Sequence, residues 1–286
     1  MAWIAFSLLT ALFEALKDVL GKKSLEKCSE YIVAWALRLF ALPFLLPLWF
    51  FTKNAISGNR FWIALLTGGT LNLITTILYM KALKASDLSV TVPMVTFTPL
   101  FLLITSPIMV GEFPSIKGFM GILLIAAGSY LLHLEKTRQG IWAPFKSLVK
   151  EKGPRLMLMV AFIWSITSNI DKIGIQNSSV VVWATAIHLF NIVGMIPVIW
   201  ITSRSHISQL REHRKILVPM GFIDALKYIC QLAALQFTLV AYVISIKRTS
   251  AILCVIFGAV FFKETGFKER LTGSIIMVLG VLLITL

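Results

Sequence analysis

The chain has 286 residues, of which 58% are hydrophobic and 14% charged, a balance that excludes a soluble globular domain and makes the bilayer its solvent. Its formal charge of +14 lies mostly in polar segments beside long apolar runs. That placement points to anionic lipid head groups as neighbours and away from nucleic acid.

A helix needs about 20 apolar residues to cross about 30 Å of hydrocarbon. The apolar runs predict ten transmembrane helices, at 2–20, 30–51, 61–82, 87–110, 115–133, 155–175, 179–201, 215–237, 240–262 and 268–286. Long unbroken runs without period-2 alternation favour helices over barrel strands, because each segment must satisfy its own backbone. The fold class expected is an all-α integral membrane protein. Residues 1–20 lack the basic start of a signal peptide and read as a mature helix.

In chain order, the first helix carries Glu14, Lys17 and Asp18 at spacings of three and four, which share one face. The second holds Arg38, with Glu14 or Asp18 as its expected partner. The third offers Asn72 and Thr75, and the fourth Pro93, Pro99 and Pro107, each inviting a kink. The linker 134–154 mixes Trp142, Phe145, Leu148 and Val149 with lysines, which reads equally as a helix on the membrane surface or a solvated loop. The seventh helix has His188, most simply a hydrogen-bonded packing residue. Near the centre of the eighth lie Asp224 and Lys227, with Tyr228 and Gln231 following. The ninth carries Lys247 and Arg248 with no acidic residue nearby in sequence.

Charges at a helix centre cost about 2.5–3.5 kcal/mol on insertion scales, so such residues usually face a cavity and work there. Lys247, Arg248, Lys227, Asp224, Asn72, Glu14 and Arg38 are therefore the expected substrate-binding residues. The structural alternative is ion pairing and snorkelling. Five embedded cations, Lys17, Arg38, Lys227, Lys247 and Arg248, outnumber Glu14, Asp18 and Asp224, so the solute expected is anionic or zwitterionic. Glu14 or Asp224 is the candidate carrier if transport is coupled to a proton, and uniport or exchange fits the sequence equally well. Trp35, Trp164 and Trp183 lie deeper than the other tryptophans, which sit near span ends as interfacial anchors.

An offset of 150 residues brings Lys22 onto Lys172, Ser29 onto Ser179, Arg38 onto His188 and Pro47 onto Pro197. An offset of 152 then aligns Asn72 and Thr75 with Asp224 and Lys227, Glu112 with Glu264, Gly121 with Gly273, and Gly128 with Gly280. The organisation expected is a five-helix repeat over 1–133, the linker 134–154, and a second five-helix repeat over 155–286. An odd helix count inserts the two halves in opposite senses. Inverted repeats are a common build of secondary transporters, with the site at the midplane.

The segment from Tyr31 through Arg38 to Phe40, and the Glu112 and Glu264 segments leading into the glycine pairs, resemble the EamA family of the drug/metabolite transporter superfamily over nearly the whole chain. The resemblance implies a multi-pass secondary carrier in the plasma or inner membrane, in many bacterial members an exporter of amino acids or related metabolites. Lys247-Arg248 is similar to the basic pair with which organic-phosphate translocators of the same superfamily hold substrate phosphate.

The loops after the odd-numbered spans hold 18 Lys and Arg, against four on the other side, Lys53, Arg60, Lys117 and Lys172. The positive-inside rule makes the richly basic side cytoplasmic and the termini external, whereas the resemblance implies cytoplasmic termini. No G-x-x-x-x-G-K-[ST] loop, H-E-x-x-H pair or G-x-S-x-G elbow occurs, so no ATP site, metal, cofactor or enzymatic activity is expected. The alternatives carried forward are a flippase for a lipid-linked phosphate, marked by a lateral opening, and a membrane-embedded enzyme acting through Asp224, Glu14 or His188.

Overall fold

The computed structural model describes residues 2–52, 56–85, 92–134, 142, 150–262 and 271–286, and every regular element among them is helical. The elements are α1 Ala2–Leu25, α2 Glu30–Phe51, α3 Gly58–Ala85, a 3-10 turn Val92–Phe97 continuing into α4 Thr98–Val110, and α5 Ile116–Leu134. The second half has α6 Lys152–Gln176, α7 Val180–Thr202, the short α8 Gln209–Glu212, α9 Arg214–Leu235, α10 Val240–Lys247, α11 Ser250–Phe262 and α12 Leu271–Thr285. Glu264 and most of the linker lie outside the described residues; Trp142, within that linker, is exposed.

Five of these helices, α2, α3, α6, α7 and α9, are both long and apolar enough to cross a bilayer, with shorter apolar helices at Met94–Val110, Ile116–Leu131 and Thr272–Thr285. α1, at 24 residues, is about 36 Å long, which is sufficient to cross, but it carries Glu14, Lys17 and Asp18 midway. Large apolar side chains such as Ile63, Ile104, Ile108, Val193 and Ile201 face outward. An outer surface of this kind is stable in lipid and not in water.

Local signals set the helix ends. Ser179 caps α7 by accepting the Val182 N–H on its hydroxyl at 3.2 Å, which satisfies one of the donors that a helix start leaves open. Gly111 ends α4 in the left-handed region at φ 68°, where a Cβ would be strained.

The helix starts recur at the offsets seen in the sequence: Ala2 and Lys152 are 150 apart, as are Glu30 and Val180, while Thr98 and Ser250 are 152 apart. The packing recurs as well. α1 lies against α9 as α3 lies against α6, and α2 packs on α7 and α5 on α12. The last pair runs antiparallel, with a Cβ on Gly121 only 2.7 Å from the Gly280 carbonyl and one on Gly128 2.7 Å from that of Gly273. In lipid, where apolar burial gives helices no reason to associate, such close backbone approach supplies the dispersion contact that holds them. The largest core cluster draws on α2 to α7, α9, α10 and α12, with Phe61 edge-on to Trp183 at 5.7 Å.

The fourth span, where Pro93, Pro99 and Pro107 invite a kink, is broken at Thr98, and the ninth, which has no proline, is broken at the matching Ser250. In the ninth, Thr249, Ala251 and Ile252 donate to carbonyls three residues back, and Thr249 Oγ1 bonds Ile246 O at 2.7 Å. Hydroxyls bonded back to their own helix compete with the ladder and bend it.

Candidate functional site

Midway along the bundle, α1, α2, α7, α9 and α10 bring their charges into one network. Lys17 Nζ lies 2.7 Å from Glu14 Oε1 and 3.1 Å from Asp18 Oδ1. The other Glu14 oxygen faces two more ammonium groups, Lys227 and Lys247, each at 3.6 Å, and has no hydrogen bond of its own. Lys227 Nζ reaches Asp224 Oδ1 at 2.6 Å, and Arg38 Nη1 reaches Asp224 Oδ2 at 3.0 Å. Arg38 therefore pairs with Asp224 and not with Glu14 or Asp18. Helix α9 packs between α2 and α1 and puts its carboxylate nearer to the guanidinium.

His188, fully buried, donates from Nδ1 to Ala184 O at 2.7 Å. In the neutral ring this leaves Nε2 an acceptor, facing Arg38 Nη1 at 3.4 Å. His188 is thus the hydrogen-bonded residue the sequence suggested, and it also closes the network around Asp224.

Lys247 and Arg248 stand where α10 ends and the ninth span breaks. Carbonyls at a helix C-terminus carry partial negative charge, which favours cations at this place. Lys247 Nζ donates to Gln231 Oε1 at 2.9 Å. Arg248 donates from Nη2 to Thr98 Oγ1 at 2.9 Å, at the matching break of the fourth span, and its guanidinium lies 5.8 Å from the Trp164 ring. Tyr79 stands beside Trp164 with ring centroids 5.8 Å apart. Arg248 Nε is buried without a hydrogen-bond partner, so a planar donor fork is left partly free beside an aromatic wall.

Exposure falls along this line. Asp18 is 49% exposed, Arg38 26% and Asp224 2%. Charged heads midway along spanning helices that keep such exposure are satisfied by water and not by hydrocarbon. The more exposed members, Asp18 and Arg38, lie in the C-terminal half of α1 and the N-terminal half of α2, the ends that border the richly basic segments. At the opposite end of the bundle the Glu112 carboxylate takes the Lys172 ammonium and the Val240 N–H, the latter at 2.7 Å, and Lys172 also bonds Thr238 O at 2.7 Å. Tyr242 OH accepts from Ser115 N at 3.1 Å and stacks on Trp3 at 6.3 Å.

Of the seven expected residues, six join the network or its rim. Asn72 does not: its amide donates to Gly68 O in its own helix at 2.9 Å. Asp171, Thr98 and Trp164's partner Tyr79 were not singled out from sequence. Asp171 sits directly before Lys172 at the C-terminal end of an apolar helix, where a charged pair reads as a boundary, yet it is buried and hydrogen-bonded to Trp183. The cysteines are free, and no group of metal-binding side chains exists among the described residues.

A solved crystal structure whose description names no activity superposes with a TM-score of 0.75 over 99% of this chain and 95% of its own, at 14% identity, and so shares the fold. No curated protein matches the sequence. Residues 1–134 and 152–286 each match the EamA-like transporter family, and the chain belongs to that family of membrane transporters of the drug/metabolite type.

Proposed function

We propose that the chain is a secondary carrier of ten transmembrane spans, built as two inverted five-helix repeats, that moves a small anionic or zwitterionic organic metabolite by alternating access. Amino acids, organic acids and phosphorylated metabolites fall in this class. Its place is the plasma or inner membrane, with the richly basic face in the cytoplasm. Support for the inversion comes from the antiparallel contact of α5 with α12 and from matching breaks in the fourth and ninth spans, since discontinuous helices form the midplane sites of such carriers. Access from the basic face and closure by Glu112 on the other describe one of the two states that alternation requires.

The observation that carries the substrate class is the cation excess at the break of the ninth span. Lys17, Lys227, Lys247, Arg38 and Arg248 meet three carboxylates, Glu14, Asp18 and Asp224; Lys247 reaches only Glu14, which Lys17 and Lys227 also face, and Arg248 has a hydroxyl and an aromatic face. An incoming carboxylate or phosphate supplies the missing negative charge. For a lipid-linked substrate, a groove between α4 and α5 of ≈ 500 Å³ is a candidate lateral opening, but its lining, which includes Leu103, Ile104, Pro107, Phe113 and Phe119, holds no charge.

The test is uptake into proteoliposomes of glutamate, succinate and glycerol phosphate, comparing the native chain with a Lys247→Ala, Arg248→Ala double variant. Uptake of at least one probe by the native chain and its loss in a folded double variant are expected. Equal uptake by both makes the basic pair structural and overturns the anion reading.

A further inference from the structure

Two carboxylates among the described residues are as buried as the apolar core, Asp224 at 2% exposure and Asp171 at 6%. They are held in opposite ways. Asp224 touches the ammonium of Lys227 and the guanidinium of Arg38. Asp171 contacts no cation. Both of its hydrogen bonds come from neutral donors, Trp183 Nε1 at 2.9 Å and Tyr228 OH at 2.8 Å, and both fall on Oδ1.

The charged and titratable groups around it are engaged elsewhere. Lys172, the next residue, is turned to Glu112 and the Thr238 carbonyl. Lys247 on α10 bonds Gln231, and Arg38 on α2 bonds Asp224, so these two act on Asp171 only through space. On α7, His188 lies edge-on to the Tyr228 ring at 5.2 Å and faces Arg38. From α4 come Thr105 and Ser106, which bond Asn169, and α3 contributes the apolar contact of Gly68 with Ile170. Asp171 thus lies between the midplane network and the Glu112 tie, next to both and paired with neither.

An isolated carboxylate taken out of water is costly and relieves that cost by neutralisation. Glu14 and Asp224, the candidate carriers read from sequence, are matched by contacting cations and have no such incentive. A metal cation is a poor alternative occupant: a hard ion needs a shell of oxygen lone pairs, whereas Trp183 and Tyr228 present hydrogens.

Resting on the carrier reading above, we propose that Asp171 is the proton-binding site that couples transport to a proton gradient, with Trp183 and Tyr228 holding its carboxyl in place. The step is simple. An O–H bond forms on a carboxylate oxygen, one negative charge disappears, and the proton comes from and returns to water on whichever face is open. Loss of that charge raises the net positive potential at Lys247 and Arg38, so a bound proton favours a bound anion. By linkage the anion favours the proton equally. Proton and anion then move together.

Infrared difference spectroscopy of the full chain in lipid tests the site without any substrate. The native chain is expected to show the C=O stretch of a protonated carboxylic acid that fades as pH rises, present in Asp224→Asn and absent in Asp171→Asn. The amide of Asp171→Asn keeps an acceptor for both donors, and thermal unfolding confirms its fold. Tyr228→Phe, which removes one bond and little volume, shifts the band. A band that survives in Asp171→Asn, no titrating band in the native chain, or an unshifted band in Tyr228→Phe overturns the assignment.

The second arm uses proteoliposomes with glutamate, succinate and glycerol phosphate. The ratio of proton-driven accumulation to exchange falls by about tenfold or more in Asp171→Asn, within the range of ordinary coupling energies; an unchanged ratio overturns the coupling role. Failure of the native chain to move any probe overturns the carrier reading instead, and the infrared arm alone then decides whether Asp171 binds the proton.

Discussion

Arg38 Nη1 and His188 Nε2 lie 3.4 Å apart, and the two residues are 150 positions apart in sequence, the offset that superposes the halves. A residue meets its own counterpart only where a two-fold axis passes, so the pseudo-axis runs between α2 and α7 at this depth. In α5 and α12 the contacts of Gly121 with Gly280 and of Gly128 with Gly273 exchange under the 152 offset, as two contacts on either side of such an axis do. The chemistry does not follow the symmetry. Asp224 and Lys227 have Asn72 and Thr75 as counterparts, and Thr75 bonds only the Asn72 carbonyl of its own helix. Duplication thus supplies the scaffold, while the charges stand at positions that are not counterparts: Glu14, Lys17, Asp18 and Arg38 in the first half, Asp224, Lys227, Lys247 and Arg248 in the second.

Asp224 is the hinge of that charge, since two cations and the imidazole converge on it. Removing one member of a buried pair leaves the others uncompensated, at a cost of about 3–5 kcal/mol. Asp224→Ala is expected to lower the apparent Tm in detergent strongly. Combining it with Arg38→Met and Lys227→Met recovers most of the loss, because no buried charge is then left unmatched. A triple variant as unstable as the single one argues that packing, and not charge balance, is what Asp224 provides.

The glycine seam gives a second test. Any Cβ on Gly121 or Gly280 meets a backbone carbonyl at 2.7 Å, where no side chain can yield, whereas one on Gly21 meets nothing within 4 Å. Gly121→Ala and Gly280→Ala are expected to destabilise by about 1–3 kcal/mol, and Gly21→Ala, in open space within a helix, to be neutral or stabilising. Thermal unfolding of the three single variants decides it. Equal behaviour of Gly21 and Gly121 would show that α5 and α12 do not approach so closely.

What the sequence makes legible follows from range. Helices and their repeat are readable because apolar length and matching motifs are local or periodic properties: α2 and α7 start at the expected boundaries within one residue. Partners are not readable, because they depend on which helices touch. Arg38 meets Asp224, 186 residues away, and sequence proximity offered only Glu14 and Asp18. The break at Ser250 is missed because it arises from hydroxyls bonded to their own helix and not from proline. Asp171 is missed because its donors, Trp183 and Tyr228, lie on two other helices, and nothing local separates it from a boundary charge.

The closure proposed for the sparsely basic face rests on Glu112, which ties the end of α4 to the end of α6 and the start of α10. Glu112→Gln keeps the shape but removes the charge that attracts Lys172 and complements the α10 N-terminus. The ties on that face then weaken, and the state open there gains population. Spin labels at Ser57 and Phe237, both exposed, are expected to report a broader, longer distance distribution in Glu112→Gln than in the native chain. Identical distributions would mean that other contacts, such as Trp3 on Tyr242, keep the face closed.

The orientation proposed for the bundle rests on where its cations lie. Arg204, Arg211, Arg214 and Lys215 cluster around α8 and the start of α9, at the end of the bundle that Asp18 and Arg38 border. Charge bias of this size near span ends sets orientation by retention of Lys and Arg in the cytoplasm. In a background with Cys28, Cys230 and Cys254 replaced by Ala, a single cysteine at exposed Ser205 is expected to resist a membrane-impermeant thiol reagent in intact cells and to react once the membrane is opened. A cysteine at Phe237 on the opposite face reacts in both conditions. The reverse pattern would place the Glu112 tie in the cytoplasm, and the state described here would then be open to the outside.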